Sequence, residues 1–150
     1  IKLVRGAYME KERARALKKK YDCPICDNKE KTDELFNKSM KYILENIKDF
    51  SLFVGSHNEF SNRLAVDLMK KNKIEKNDEK IWFSQLYGMS DNISFTLAKK
   101  GYNVAKYLPF GPIKEVIPYL IRRLDENSSV STQTNRELQL ISTEIKRRNS

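Results

Sequence analysis

The chain has 150 residues, 39% hydrophobic and 33% charged, and carries a net charge of +9 from 29 Lys and Arg against 20 Asp and Glu. This length suits one domain with its own core, and no run approaches the roughly 20 consecutive apolar residues of a membrane-spanning helix. The lysine clusters Lys18–Lys20, Lys70–Lys71 and Lys99–Lys100 fall at predicted helix C-termini, where they complement the helix dipole; without a zinc-finger, RNA-recognition or heptad pattern beside them, nucleic-acid binding is not expected, while attraction to anionic lipid headgroups stays open.

Ile1–Val4 is a short β-prone run, ended by Arg5-Gly6-Ala7-Tyr8, whose small residues let a ligand approach the backbone. Because the strand begins at once, at an isoleucine, the chain is expected to be a piece of a longer polypeptide with no leader of its own. Met9–Lys20 is compatible with a helix, and Asp22–Asn28 collects turn formers. A second helix is predicted from Thr32, with Leu35, Phe36, Met40, Ile43, Leu44 and Ile47 as its buried stripe. Phe50–Val54 is an unbroken apolar run of the kind buried on both sides in a parallel sheet. It stops at Gly55-Ser56-His57-Asn58, after which Phe60, Leu64, Val66, Leu68 and Met69 mark another helix. Ile81–Phe83 is strand-like and leads through Gln85-Leu86-Tyr87-Gly88-Met89-Ser90 into a helix from Asp91 to Lys100, closed by Gly101. Val104–Leu108 is the fourth predicted strand.

Pro109 and Gly111 break that strand, and Pro112 sits in the first turn of a further helix, where proline is best tolerated. Along it Ile113, Val116, Ile117, Leu120 and Leu124 form an apolar stripe, while Tyr119, Arg122, Arg123 and Glu126 fall on another face. Two guanidinium forks side by side present parallel donors that fit the two oxygens of one carboxylate. Taken alone, this face reads first as a solvated surface with ion pairs at three- and four-residue spacing. Pro118 cannot donate to the carbonyl of Lys114, which predicts a kink. Residues 128–132 read as a linker, and Glu137–Arg148 as a last amphipathic helix with Leu138, Ile141 and Ile145 on one side. Residues 1–127 and 128–150 are therefore expected as two segments, the second covering barrel surface.

Both cysteines lie in Cys23-Pro24-Ile25-Cys26, and His57 is the single histidine. Four metal ligands of these types are not available, so two reduced thiols in a reducing compartment are expected. The alternation of strand and helix specifies an α/β protein with a parallel sheet and helices outside it. Four βα units make half of an eight-unit barrel, and the loops RGAY, GSHN, QLYGMS and YLPFGP would then share one rim. An open doubly wound sheet would normally carry a glycine-rich G-x-G-x-x-G turn after its first strand, and none follows Val4.

KLVRGAYMEKER, Ser56-His57-Asn58, QLYGMSDNISF and KYLPFGPIKEVIPYLIRRLDEN together, in this order and spacing over nearly all of residues 1–127, resemble the flavin-dependent proline dehydrogenases. Four motifs in register outweigh the solvated-face reading of the arginine pair. The resemblance implies the second half of a distorted (β/α)8 barrel that holds FAD at its C-terminal rim, oxidises L-proline to Δ1-pyrroline-5-carboxylate and passes electrons to a membrane quinone. It implies that Arg122 and Arg123 clamp the proline carboxylate, and that Tyr119, Tyr107, Leu86 and Tyr8 wall the ring pocket. Lys2 stands where many members have an arginine near the flavin N5, and is the catalytic candidate. Val4, Arg5, Gly6 and Ala7 would line the isoalloxazine and ribityl chain, and Ser56, His57 and Asn58 match a threonine-histidine-asparagine flavin-binding segment. The region around Lys29 would meet the adenosine half, and Glu126 would bond the ribityl chain. His57 by itself also reads as a helix cap or a strand-end hydrogen-bonding residue.

The resemblance also implies an N-terminal half of the barrel, which would complete the site, and peripheral association with a membrane. The expected location is the bacterial cytoplasm at the inner face of the membrane, or the mitochondrial inner membrane or matrix in a eukaryote. The rival reading is a non-enzymatic basic module that binds nucleic acid or anionic membrane.

Overall fold

The computed structural model describes the backbone of residues 1–5, 8–128 and 131–149, and the side chains of 1–5, 8–121 and 138–149. The chain falls into two compact units, Ile1–Leu108 and Pro109–Ser150. The first contains β1 (Lys2–Val4), α1 (Met9–Lys19), α2 (Lys29–Glu45), β2 (Leu52–Gly55), α3 (Glu59–Lys71), β3 (Ile81–Leu86), α4 (Asp91–Lys99) and β4 (Val104–Tyr107). The second contains α5 (Ile113–Ser128) and α6 (Ser131–Arg148).

The four strands form one sheet in the order β1-β2-β3-β4, and every pair is parallel. Each βα connection therefore moves the chain one place in the same direction, and all the loops that follow strands emerge at one end of the sheet. The register fixes two faces. Leu3 lies beside Val54, Val54 beside Phe83 and Phe83 beside Val104, with Leu52 beside Ile81. This face packs against Phe36, Met40, Ile43 and Leu44 of α2, Ala65, Leu68 and Met69 of α3, and Ile93 and Leu97 of α4, which together form the core. Tyr102 closes it with an edge-on contact to Phe83 at 5.7 Å between ring centroids.

The other face carries Lys2, Phe53 and Trp82 in one row and Leu86 beside Tyr107 in another. Trp82 remains 40% exposed and Tyr107 44%. The run at Phe50–Val54 is thus not buried on both sides: Leu52 and Val54 are buried, whereas Phe53 between them is half-buried. Strict alternation on a pleated strand sends them to opposite faces, and α2, α3 and α4 pack on one of them.

Local chemistry moves several element ends from their predicted places. α2 begins at Lys29, not Thr32, because Asn28 caps it: the Asn28 side chain accepts from the Lys31 N–H at 2.8 Å. Such a cap contributes about 1 kcal/mol. Leu35 is exposed rather than part of the buried stripe; it lies about 100° round the helix from Phe36, which turns inward. Phe60 is likewise exposed, and α3 buries Ser61 and Asn62 with its apolar residues. β3 runs on to Leu86, since the polar Ser84 and Gln85 are buried. α4 closes as predicted: Gly101 takes φ +86, its N–H reaches Ala98 O at 2.9 Å and the Tyr102 N–H reaches Leu97 O at 3.1 Å. That left-handed turn is cheap for glycine and strained for other residues.

In the second unit α5 remains helical through Pro118, with Ile113, Ile117, Leu120 and Ile121 exposed. α6 starts at Ser131, so the serine and threonine at 131 and 132 belong to its first turn and not to a linker. Among the described residues, no helix is long and apolar enough to cross a membrane.

Candidate functional site

Lys2 organises the open face. Its ammonium lies 5.6 Å from the centroid of the Phe53 ring and 5.2 Å from that of Tyr107. β1 and β4 are three strand spacings apart, which in a flat sheet is roughly 14 Å, and side chains stand nearly perpendicular to a sheet. A side chain of β1 that reaches a ring on β4 therefore requires the sheet to curl towards its open face, the sense of curvature a closing barrel needs. The curl brings Lys2, Phe53, Tyr107 and its neighbour Leu86 to one concave surface. Val4 continues this face beside Gly55; a Cβ on Gly55 would meet Val4 Cγ1 at 2.7 Å and Leu3 O at 3.2 Å, so a glycine is needed for the close approach.

A hydrogen-bonded layer underlies the loops at the strand ends. Arg5, just past β1, points to the helix side of the sheet. Its Nε donates to Asp33 of α2, its Nη1 to Ser56 Oγ at 2.6 Å and its Nη2 to Ser61 Oγ at 2.5 Å, while the guanidinium lies 3.8 Å over the Phe36 ring. Burial lowers the Arg5 pKa from its ordinary value, and the charge and hydrogen bond of Asp33 oppose that shift. The side chain stays charged, as arginine does in proteins. Ser56, 5% exposed, is held at every polar position of its backbone and side chain. Its N–H donates to Ser84 O at 3.2 Å, its carbonyl accepts from Asn62 at 3.0 Å and Gln85 at 3.2 Å, and its Oγ accepts from the Asn58 N–H at 3.1 Å. Ser94 Oγ donates to Gln85 Oε1 at 2.8 Å, extending the layer to α4.

His57 links the next loop. Its Nε2 lies 3.5 Å from the Leu86 N–H, and its Nδ1 shares a hydrogen bond of 3.0 Å with Ser90 Oγ. Asn58, not His57, caps α3, accepting from the Ser61 N–H at 3.0 Å. Of the two simple roles open to His57, the structure has the strand-end one. Ser90 adopts a left-handed conformation at φ 52, and its hydroxyl serves His57 rather than the start of α4. Lys106 secures the same loop from β4, donating to Met89 O at 2.7 Å and pairing with Asp91 at 2.6 Å.

The structure thus brings Lys2, Val4, Leu86 and Tyr107 to one face and sets Ser56, His57 and Asn58 at its rim. Tyr8, 78% exposed, caps α1 in a left-handed conformation, and Lys29 is the exposed first residue of α2. Tyr119 is half-buried within the second unit. Gly6 and Ala7, and the side chains of Arg122, Arg123 and Glu126, lie outside the described residues. Among the described residues no group of three or more His, Cys, Asp or Glu is placed to hold a metal, and both cysteines are free thiols. Phe53, Trp82, Asp33, Ser61 and Gln85 were not singled out as site residues from the sequence; for Ser61 the available signal was a polar residue inside an otherwise apolar helix.

A parallel α/β sheet curled about a concave face, with a polar rim at the C-terminal ends of its strands, places the chain among βα-repeat folds, the class in which ligands bind at that rim. The sequence matches the family described as proline dehydrogenase over residues 1–136. It is 46% identical over 152 residues to mitochondrial proline dehydrogenase 1 of Caenorhabditis elegans, across 98% of this chain and 25% of that protein. It is 43% identical over 152 residues to hydroxyproline dehydrogenase of Xenopus laevis, across 99% of this chain and 33% of that protein. The crystal structure of proline utilization A from Bdellovibrio bacteriovorus inactivated by N-propargylglycine matches with a TM-score of 0.76 at 35% identity, over 84% of this chain and 13% of that one. This chain belongs to the proline dehydrogenase family. It spans about a quarter to a third of the length of these curated relatives.

Proposed function

We propose that the full-length protein is an FAD-dependent proline dehydrogenase that oxidises L-proline to Δ1-pyrroline-5-carboxylate, with a membrane quinone as electron acceptor. The observation that carries this reading is the concave face on which Lys2, Leu86 and Tyr107 converge beneath the Ser56–Asn58 turn, in a chain of this family. The missing N-terminal half of the barrel would complete the pocket. The proposed location is mitochondrial, at the inner membrane or in the matrix, for a eukaryotic protein, and the cytoplasmic side of the membrane for a bacterial one.

The residues present suit a flavin. A flat ring system needs an apolar surface to rest on, which the Val4 side chain packed over Gly55 provides, and an ordered polar rim, which the Ser56 layer provides. FAD supplies the acceptor for the hydride that leaves proline C5. The chain's own part is to bind, orient and exclude water. Arg122 and Arg123 grip the substrate carboxylate, and Tyr107, Tyr119, Leu86 and Tyr8 wall the ring. Lys2 places a cation where negative charge would develop. Val4, Gly6, Ala7 and the backbone of Arg5 line the cofactor, His57 and Asn58 hold it from the second loop, whose turn Ser56 shapes, and Lys29 and Glu126 meet its adenosine and ribityl parts. The guanidinium of Arg5, committed to Asp33, Ser56 and Ser61, is left with a different task.

The test is the visible spectrum of the purified full-length protein. Flavin absorbance that L-proline bleaches supports the proposal; a colourless protein retained on heparin in a salt-sensitive way overturns it in favour of the basic module. Specificity is a second measurement. The Tyr107 phenol would crowd a 4-hydroxyl on the substrate ring, so kcat/KM is expected to favour proline over trans-4-hydroxyproline. The reverse order would refute the role given to Tyr107 and align the protein with its hydroxyproline-named relative.

A further inference from the structure

We propose that Arg5 is a positioning residue: bonded to Asp33, Ser56 and Ser61 at once, it holds the Ser56–Asn58 turn in its binding shape before a ligand arrives. The inference rests on the reading of that turn as flavin-binding. Arg5 sends its donors to three separate elements, α2 through Asp33, the turn after β2 through Ser56 and the first turn of α3 through Ser61. A planar fork reaches all three without bending; a lysine ammonium is a point charge and cannot. The stack on Phe36 at 3.8 Å fixes the plane of the fork, and Phe36 is itself buried in the core.

Ser56 is the piece this arrangement grips. Its hydroxyl oxygen accepts from Arg5 and from the Asn58 N–H, which closes the turn, and its carbonyl is held by Asn62 and Gln85. At 5% exposure it has little surface to offer a ligand, so it shapes the turn, while His57 and Asn58 are the residues presented. Ser61 Oγ donates onward to Asn37 Oδ1 at 2.7 Å, tying α2 to α3 beneath the same turn. A turn preset in this way need not be ordered when the ligand binds, and saved ordering entropy appears as affinity.

The experiment uses the full-length protein, stripped of flavin and reconstituted. Arg5→Lys keeps the charge beside Asp33 and removes the fork. The flavin dissociation constant is expected to rise about tenfold or more, the scale of one lost charged hydrogen bond. In the flavin-free protein, the amides of residues 58–62 are expected to exchange about tenfold faster while those of Ile81–Phe83 do not change. Ser61→Ala, which removes the bonds of Ser61 Oγ to Arg5 and to Asn37 and leaves the Arg5–Asp33 ion pair, is expected to weaken flavin binding about threefold and is the deciding variant if Arg5→Lys does not fold. Leu97→Ala, a core change in α4, sets the baseline for simple destabilisation and is expected to leave flavin affinity within about twofold. The proposal is overturned if the fork variant keeps both affinity and exchange, or if Leu97→Ala weakens flavin equally at the same loss of Tm. Wild-type protein that binds no flavin sinks the proposed function alone; the exchange rates of the flavin-free protein still decide whether Arg5 holds the turn.

Discussion

At Lys2 one side chain reports both shape and chemistry. Its ammonium, 5.2 Å from the Tyr107 ring centroid and 5.6 Å from that of Phe53, gains about 0.5–1 kcal/mol from each aromatic face at an exposed site. That is too little to fix a fold, yet it holds a positive charge at the centre of the concave surface. Lys2→Met keeps most of the stem and loses the charge. In the full-length enzyme it is expected to lower kcat about 100-fold while stability changes by no more than about 1 kcal/mol, and Lys2→Arg is expected to restore most of the rate. Rapid-mixing kinetics beside thermal melts check this; a loss of stability with kcat intact would remove Lys2 from the chemistry. The part proposed for Arg122 and Arg123 is in substrate binding instead. Truncating either to alanine is expected to raise the KM for proline by about 10- to 100-fold, since charged hydrogen bonds contribute about 1.5–3 kcal/mol each. Substrate-saturation curves would show it, and an unchanged KM in both variants would return the pair to a solvated surface role.

At the scale of elements, apolar runs, periodicity and turn residues in the sequence pointed to every strand and helix of the described chain; the stripes of α2, α3 and α4 are buried against the sheet, whereas most of the described apolar residues of α5 and α6 are exposed. Residues whose placement depends on partners distant in sequence were not legible. Gln85 reads as the start of a polar loop; in the structure it completes β3, because Ser56 O and Ser94 Oγ satisfy it. Gln85→Leu is expected to cost about 1–3 kcal/mol by leaving those groups unpaired, measured by denaturant unfolding of the full-length protein. The loop residues proposed for the site rest on the family resemblance, whereas nothing in the sequence pointed to the Arg5 fork: a strand-end arginine gives no sign of which way it turns. α6 offers a separate test. Arg147 and Arg148 bond Glu144 and hold its carboxyl down at about 2, against an ordinary 4.5. A pKa lowered in the helix means stabilisation that is present above 4.5 and lost as the pH falls towards 2. A peptide of residues 131–148 is therefore expected to lose ellipticity at 222 nm across that window, and Glu144→Gln to flatten the loss; identical acid profiles for the two peptides would rule the contact out.

At the scale of the molecule, the sheet has one face packed by helices and one that carries Trp82 at 40% and Tyr107 at 44% exposure. Its outer strands, β1 and β4, each pair on one side within the described sheet. An unpaired parallel edge is a template for another strand, and an apolar concave face is the surface that a closing barrel would bury. Both features act in the same direction when these 150 residues are produced alone. The isolated chain is expected to self-associate, and to show no proline-dependent dye reduction even with added FAD, because under the proposed function part of the pocket wall comes from the rest of the full-length protein. Light scattering after size-exclusion chromatography reads the first expectation and a dye assay the second. Supplying the remaining part of the full-length protein as a separate chain distinguishes the cause: if the open face and edges drive association, the two pieces should form one soluble complex at the expense of the self-associated species. An isolated chain that stayed monomeric and reduced dye with proline would mean that this sheet is complete as it stands.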